Sequence, residues 1–194
     1  MRITLKPILF AAALALAAGV AVANPYDDTV ADFKQAGQSA HFFATSYAYA
    51  VFPTIGKGGL GIGAAHGTGR VYRLGAYAGD TSMTQVSFGF QAGGEAYSEI
   101  IFFRDKSALE DFESGHFEMS ADVGAVAITA SADASATTGV GASASASGSA
   151  DEAATAGGYH HGVAVFTLAK GGAMYEAAVA GQKFSYTPVR VAAE

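Results

Sequence analysis

The sequence contains no cysteine and no tryptophan, and only 4 of its 194 residues are proline. The absence of cysteine excludes a disulfide scaffold, a thiolate zinc site, a thiol nucleophile and an anchor attached to an N-terminal cysteine. Charged residues are also few, at 14%, and the net charge is −6. This acidic balance does not favour nucleic acid as a partner. The hydrophobic content of 51% excludes a wholly disordered chain, and the length suits one domain.

Residues 1–23 have the three-part pattern of a secretory signal peptide. Arg2 and Lys6 form a short positive region, and the apolar stretch 8–22 follows it. The alanines before the expected cut fit the small-x-small rule, so cleavage is predicted after Ala23. A retained helical anchor is the alternative. The pattern predicts a bacterial periplasmic or otherwise exported protein.

After this leader, apolar and small residues recur at spacings of three and four, which predicts one helix over about 28–50. Asp27 or Asp28 is expected to cap its start. Pro53 is expected to end it, because a residue before proline leaves helical space. The apolar stripe could pack on the core or contact lipid. Its polar face lacks a Lys/Arg cluster, which favours packing on the core.

The rest of the chain is rich in glycine and has residue patterns typical of β-strands. Residues 85–92 alternate apolar and polar side chains, which predicts a half-buried strand, and 97–103 are apolar on both faces, as in a central strand. A short helix is predicted at 105–115, capped by Asp105 and ended by Gly115. Further strands are predicted at 117–131, 162–169, 173–180 and 182–187.

These elements predict an α+β domain in which an N-terminal helix and one short helix pack on a strongly curved antiparallel sheet, barrel-like or sandwich. The domain is placed at 24–194. It includes a segment of Ala, Ser, Gly and Thr at about 130–158, either a flat strand pair or a loop. The expected core residues are Val86, Phe88, Phe90, Ile101, Phe103, Val165, Phe166 and Leu168.

An internal similarity relates Ala50–Gly59 to Ala164–Gly172. Each copy places a lysine beside a Gly-Gly pair, Lys57 in the first and Lys170 in the second. We interpret the copies as hairpins related by an approximate twofold axis, each turning at its Gly-Gly pair. Chance similarity in a chain rich in glycine and alanine is the alternative.

No catalytic, metal or cofactor site is predicted. The G-x-G-x-x-G pattern at 56–61 is not followed by the helix that nucleotide binding requires, and no G-x-S-x-G pattern occurs. Glu95 and Glu99 could face the same side of a strand, but solvated carboxylates are the commoner explanation. No histidine pair has the spacing of metal ligands; the five histidines are His41, His66, His116, His160 and His161.

The few basic residues are the best candidates for binding. The repeat pairs Lys57 with Lys170; Arg70 and Arg73 follow the first copy, and Lys183 follows the second. If the copies are related by symmetry, these cations form a positive rim that can hold a phosphate headgroup. Scattered solubilising charge is the alternative.

Several long motifs resemble the SYLF lipid-binding domain family. They are the string from Tyr49 to Gly59, Gly61-Ile62-Gly63, the string from His66 to Tyr72, the string from Gln91 to Glu99, and Lys170-Gly171-Gly172. The resemblance covers nearly the whole chain after the leader. It implies a non-enzymatic lipid binder without a cofactor. Eukaryotic relatives bind phosphoinositide membranes, and some bind actin.

The sequence therefore predicts peripheral contact with phospholipid, or with another amphiphile, in the periplasm or cell envelope. Actin binding is implied only by the resemblance, because a bacterial periplasm contains no actin. A small outer-membrane β-barrel or a structural envelope protein is the alternative function. A periplasmic enzyme is a third class, for which no set of residues is found.

Overall fold

The computed structural model describes residues 24–120, 123–128, 158–172, 179 and 181–189. Three predicted features lie outside these residues: the signal peptide, almost all of the segment at 130–158, and all but Val179 of the strand at 173–180. Within the described residues the helices are α1 (Pro25–Gln35), α2 (Gly37–Ala40), α3 (Phe42–Thr45) and α4 (Lys106–Glu113). The strands are β1 (Ala48–Arg73), β2 (Ala76–Phe103), β3 (Ala125–Ile128), β4 (Val163–Gly172) and β5 (Lys183–Pro188).

The single helix predicted at 28–50 is wrong. The backbone of Ala36 is extended and ends α1, and α2 and α3 are only one turn each. The chain then enters β1 at Ala48, which pairs with Phe103 of β2. Pairing along this strand overrides the helical spacing. The helix cap was also predicted wrongly, since Asn24 accepts the backbone N–H of Tyr26.

The main feature of the fold is a hairpin of β1 and β2 that is bent back on itself. Leu74 and Gly75, both with positive φ, form its turn. The Leu74 N–H donates to the Tyr47 carbonyl at 3.2 Å, so the turn lies beside the start of β1. The pairing shifts between Leu60, opposite Ala92, and Ile62, opposite Phe88. This shift marks the bend of the ribbon.

The bend divides the hairpin into two halves. The proximal half pairs β1 48–60 with β2 92–103, and the distal half pairs β1 62–73 with β2 76–88. β4 pairs antiparallel with the proximal part of β2, and β3 lies parallel to β4. β5 pairs antiparallel with the distal part of β2. The predicted α+β class and the mostly antiparallel sheet are confirmed, and the sheet is not closed.

Two hydrophobic clusters lie on opposite faces of the proximal half. The inner cluster lies between the two halves; it includes Phe52, Ile101 and Phe103 from the proximal half, and Met83 and Phe184 from the distal layer. The Phe52 and Phe184 rings are 5.8 Å apart, so the layers are in contact. The outer cluster lies beneath the N-terminal helices and includes Phe33, Phe42, Ile100, Phe102 and Phe166.

Five of the predicted core residues are buried as expected: Ile101, Phe103, Val165, Phe166 and Leu168. Val86 was predicted wrongly, because its side chain is 61% exposed. Its neighbours Met83 and Gln85 occupy the inner face instead, and the two-residue period of a strand then turns Val86 outward. The side chains of Phe88 and Phe90 lie outside the described part.

The predicted short helix is confirmed as α4. The Asp105 carboxylate accepts the backbone N–H of Ala108 at 3.0 Å, and Gly115 follows the helix with φ 74°. The inward side chains Ala108, Leu109 and Phe112 are buried.

The later strands follow the predictions in part. β4 and β5 confirm the strands expected at 162–169 and 182–187. Of the long strand expected at 117–131, the described residues contain only Ala125–Ile128 and a single bridge from Glu118 to Lys183.

Glycine allows the two halves to approach each other closely. A Cβ on Gly69 would lie 2.6 Å from the Phe52 ring and 2.9 Å from the Val51 carbonyl oxygen. We expect Gly69→Ala to lower the free energy of unfolding by about 1–3 kcal/mol, measured by urea denaturation. Gly56→Ala in the same strand is the control, because a Cβ there meets nothing within 4 Å. Equal stability of the two variants would contradict this close approach.

Candidate functional site

Lys57, a predicted headgroup ligand, lies on the inner face of the ribbon. Its Nζ is 3.3 Å from Glu95 Oε1, directly across β1 and β2, and both side chains are only 6% exposed. A headgroup could reach this ammonium only if the pair were broken. The charge of Lys57 therefore compensates that of a buried carboxylate.

A second buried carboxylate lies four residues further along β2. The Glu99 side chain is fully buried, and Gln182 Nε2 donates to Glu99 Oε2 at 2.9 Å. Burial raises the pKa of the Glu99 carboxyl to about 7, and the hydrogen bond from Gln182 opposes this rise. Glu95 and Glu99 do share the inner face, but they engage different partners, Lys57 and Gln182. Both side chains are buried, so the interpretation of them as solvated carboxylates is wrong.

Lys170, the repeat partner of Lys57, is exposed. Its Nζ reaches across β2 to Thr54 Oγ1 at 3.5 Å. Thr54 is itself exposed, so the ammonium lies on the solvent side of the proximal half.

The repeat therefore places its two lysines on opposite faces of one sheet. The copies flank β2 as β1 and β4, but with an offset of one residue: Ala50 and Val165 both lie opposite Ile101. A one-residue offset in a strand turns each side chain to the other face. Accordingly Phe52 lies in the inner cluster and its counterpart Phe166 in the outer one.

The hairpin predicted for the first copy is wrong. β1 continues through Gly58 and Gly59 to Arg73 without a turn, and the chain bends only at the register shift after Leu60. The first Gly-Gly pair is opposite Gly93 and Gly94 of β2, so four glycines approach the bend together.

Lys183 lies on the outer face of the distal half. It pairs with Thr84, which pairs in turn with His66, so the three form one row across the sheet. Lys183 Nζ is 3.4 Å from Glu118 Oε2, and both side chains are more than half exposed. The ammonium is accessible, because an exposed ion pair of this kind is weak.

The two arginines lie near the other end of the ribbon. The Arg70 guanidinium stacks over Tyr26 of α1 at 4.2 Å from the ring centre, and its Nε is 3.7 Å from Asp80 Oδ1. Arg73 is exposed beside the hairpin turn. The predicted cations therefore do not form one continuous rim.

The bend carries a feature that the sequence analysis missed. Leu60 is 82% exposed and Ile62 60% exposed. Val86 is exposed on the outer face of the distal half, opposite Ala64 and two residues along from the pairing partner of Ile62. The alternating pattern at 85–92 predicts that Val86 faces the core, which is wrong. The signal that could have corrected this reading is the run of glycines at 56–63, which is typical of a bulge that interrupts regular pairing.

An open groove of about 420 Å³ lies between α1 and the distal half. Tyr26, Asp80 and a set of hydroxyl side chains line it: Thr68, Thr81, Ser82, Ser185 and Thr187. A polar, open groove does not suit an acyl chain, so this surface offers no enclosed lipid cavity.

The described residues also bear on metal binding and on helices that could cross a membrane. Among the described residues, no group of three or more His, Asp or Glu side chains could hold a metal ion. In the same part of the chain, every helix is too short or too polar to cross a bilayer.

Comparison with known proteins identifies the family. The sequence model of the Ysc84 family, described as Las17-binding protein actin regulator, matches residues 84–186, more than half of the chain. The match begins within β2 and extends into β5. No curated protein matches the chain significantly. The family consists of binding domains associated with lipid and with actin-related binding. The chain belongs to the Ysc84 family of SYLF domains, as its motifs predicted.

Proposed function

We propose that this protein is a non-enzymatic lipid-binding protein of the bacterial periplasm or cell envelope that makes peripheral contact with phospholipid headgroups. Its membership of a family associated with lipid binding supports the proposal. The leader pattern at 1–23 supports export, with cleavage after Ala23. No actin-related partner is proposed, because an exported bacterial protein does not meet actin.

The observation that carries this proposal is the placement of Lys170 and Lys183. Each is exposed on an outer face, Lys170 on the proximal half and Lys183 on the distal half. The net charge of the chain is −6, so attraction to an anionic membrane has to come from such local cations rather than from the whole molecule. Arg73 is an accessible cation at the other end, whereas Arg70 and Lys57 are already engaged.

Vesicle flotation tests this function with the chain expressed from Asn24, which contains every described element. We expect binding to vesicles of phosphatidylglycerol and phosphatidylcholine that exceeds binding to phosphatidylcholine alone. The double variant Lys170→Gln/Lys183→Gln should bind the anionic vesicles roughly thirtyfold more weakly, at about 1 kcal/mol for each lysine. Its binding should also depend less steeply on salt.

The control removes two exposed lysines elsewhere, Lys34→Gln/Lys106→Gln, and so has the same net charge. This variant should bind as the unchanged chain does. Failure of the unchanged chain to bind either kind of vesicle would reject the function. An equal loss in the control would reject the two assigned lysines.

A further inference from the structure

The bend of the ribbon reverses the usual distribution of polar and apolar side chains. On the inner face near the bend, Lys57 and Gln85 are buried. On the outer face, Leu60, Ile62 and Val86 are each at least 60% exposed. Exposed aliphatic residues that occur singly need no explanation, but three on the outer face of one bend, above buried polar residues, mark a contact surface.

We propose that these three residues form a wedge that inserts into the interface of a bilayer containing anionic phospholipid. This inference rests on the proposed function and identifies which part of the molecule enters the membrane. The wedge is defined as Leu60, Ile62 and Val86.

The positions of the two accessible lysines support a membrane as the occupant. Lys183 is opposite Thr84, four residues along β2 from the pairing partner of Ile62. Lys170 lies beside Ala96, four residues from the pairing partner of Leu60. Four residues of a strand span about 13 Å. Each half of the ribbon therefore has one accessible lysine at about this distance along β2 from the wedge.

This distance matches the structure of a bilayer interface. Amphipathic surfaces bury their apolar side about 5–10 Å deep at the boundary between headgroups and acyl chains. Lysine stems extend along apolar surface while the ammonium stays in the polar layer. With the wedge at that depth, Lys170 and Lys183 meet the phosphate groups from both sides.

The shape and charge of the bend also distinguish it from the other end of the ribbon. The bend is a convex edge flanked by cations, which suits a flat anionic surface. At the hairpin turn Leu74 is 77% exposed, but the nearby Arg70 guanidinium is already engaged by Tyr26 and Asp80.

Flotation of a triple variant, Leu60→Thr/Ile62→Thr/Val86→Thr, tests the wedge. Threonine retains strand propensity, and all three sites are exposed, so the melting temperature should change little. We expect binding to phosphatidylglycerol-containing vesicles to fall at least about tenfold, with the salt dependence retained. The control is Leu74→Asn/Val189→Thr, which removes two exposed aliphatic residues near the other end.

The outcomes separate the two proposals. If the unchanged chain binds and the triple variant binds equally well, the wedge is rejected and the lipid-binding function stands. If the unchanged chain does not bind, both are rejected. An equal loss in the control variant would show that exposed apolar residues act without regard to position, which also overturns the wedge.

A second measurement reports insertion directly. Because the chain has no cysteine, Leu60→Cys and Leu74→Cys each allow one environment-sensitive nitrobenzoxadiazole label. On addition of anionic vesicles, the label at position 60 should brighten, shift to shorter wavelength and be quenched by spin-labelled lipid. The label at position 74 should not change. The reverse pattern, or no change at 60 while flotation shows binding, would overturn the wedge.

Discussion

Replacing Lys57 with methionine is expected to lower the free energy of unfolding by about 3–5 kcal/mol. The substitution keeps most of the side-chain volume but removes the ammonium opposite Glu95, whose carboxylate would then be buried without this ion pair. Removal of one member of a buried pair is far more destabilising than removal of both, because the remaining charge has lost its water. Urea denaturation at neutral pH measures the effect.

The matched control is the double variant Lys57→Met/Glu95→Gln. It leaves no uncompensated charge, so we expect it to recover a large part of the stability lost in Lys57→Met. If the two single substitutions simply add in the double variant, the pair is not coupled and this account is wrong. Vesicle binding by the folded double variant should equal that of the unchanged chain, in contrast to the loss expected at Lys170 and Lys183.

Replacing Glu99 with glutamine is expected to stabilise the protein in a pH-dependent way. Burial raises the pKa of the Glu99 carboxyl from 4.5 to about 7. Because the folded pKa lies above the unfolded one, this group favours the folded state fully below pH 4.5. That contribution is lost as the pH rises through 7. Glutamine stays neutral, so at pH 8 the variant should be more stable by about 3 kcal/mol.

Denaturation of both proteins at pH 4.5, 6 and 8 checks this prediction. The advantage of Glu99→Gln should be small at pH 4.5 and should grow to its full size above pH 7. Glutamine at position 99 keeps an oxygen that accepts from Gln182 Nε2. It also adds an N–H donor beside the buried Gln182 Oε1, which has no hydrogen-bond partner in the described part. Glu110→Gln on the exposed face of α4 is the control, and it should show no such growth. A stability difference that is constant with pH would contradict the buried, protonatable carboxyl.

Much of the fold could be predicted from local signals. The Asp105 cap, the inward side chains of α4 and the left-handed Gly115 are all set within a dozen residues, so the sequence pattern identified this helix correctly. The central strand at 97–103 was equally clear, because a strand covered on both faces is apolar throughout. The family was recognised for the same reason: its motifs are contiguous strings.

The N-terminal helix shows where local signals mislead. Residues 48–51 satisfy a helical spacing, yet they pair with 100–103 of β2, about fifty positions away along the chain. Apolar residues that recur every three or four positions show which face a helix would bury, but they contain no information about a strand that could pair with the same residues. The partner decides, since pairing with β2 provides backbone hydrogen bonds and places Ala50 in the inner cluster and Val51 in the outer one.

The sequence by itself determined the family, the α+β class, the central strand, the short helix and the set of basic residues. Only the tertiary structure decided which of those residues can meet a ligand. A one-residue offset between the copies of the repeat buries Lys57 and exposes Lys170, and the two-residue period of the strands leaves Leu60, Ile62 and Val86 on the exposed outer face. The physical reason is that a strand has a period of two, so a shift of one residue in pairing exchanges its two faces.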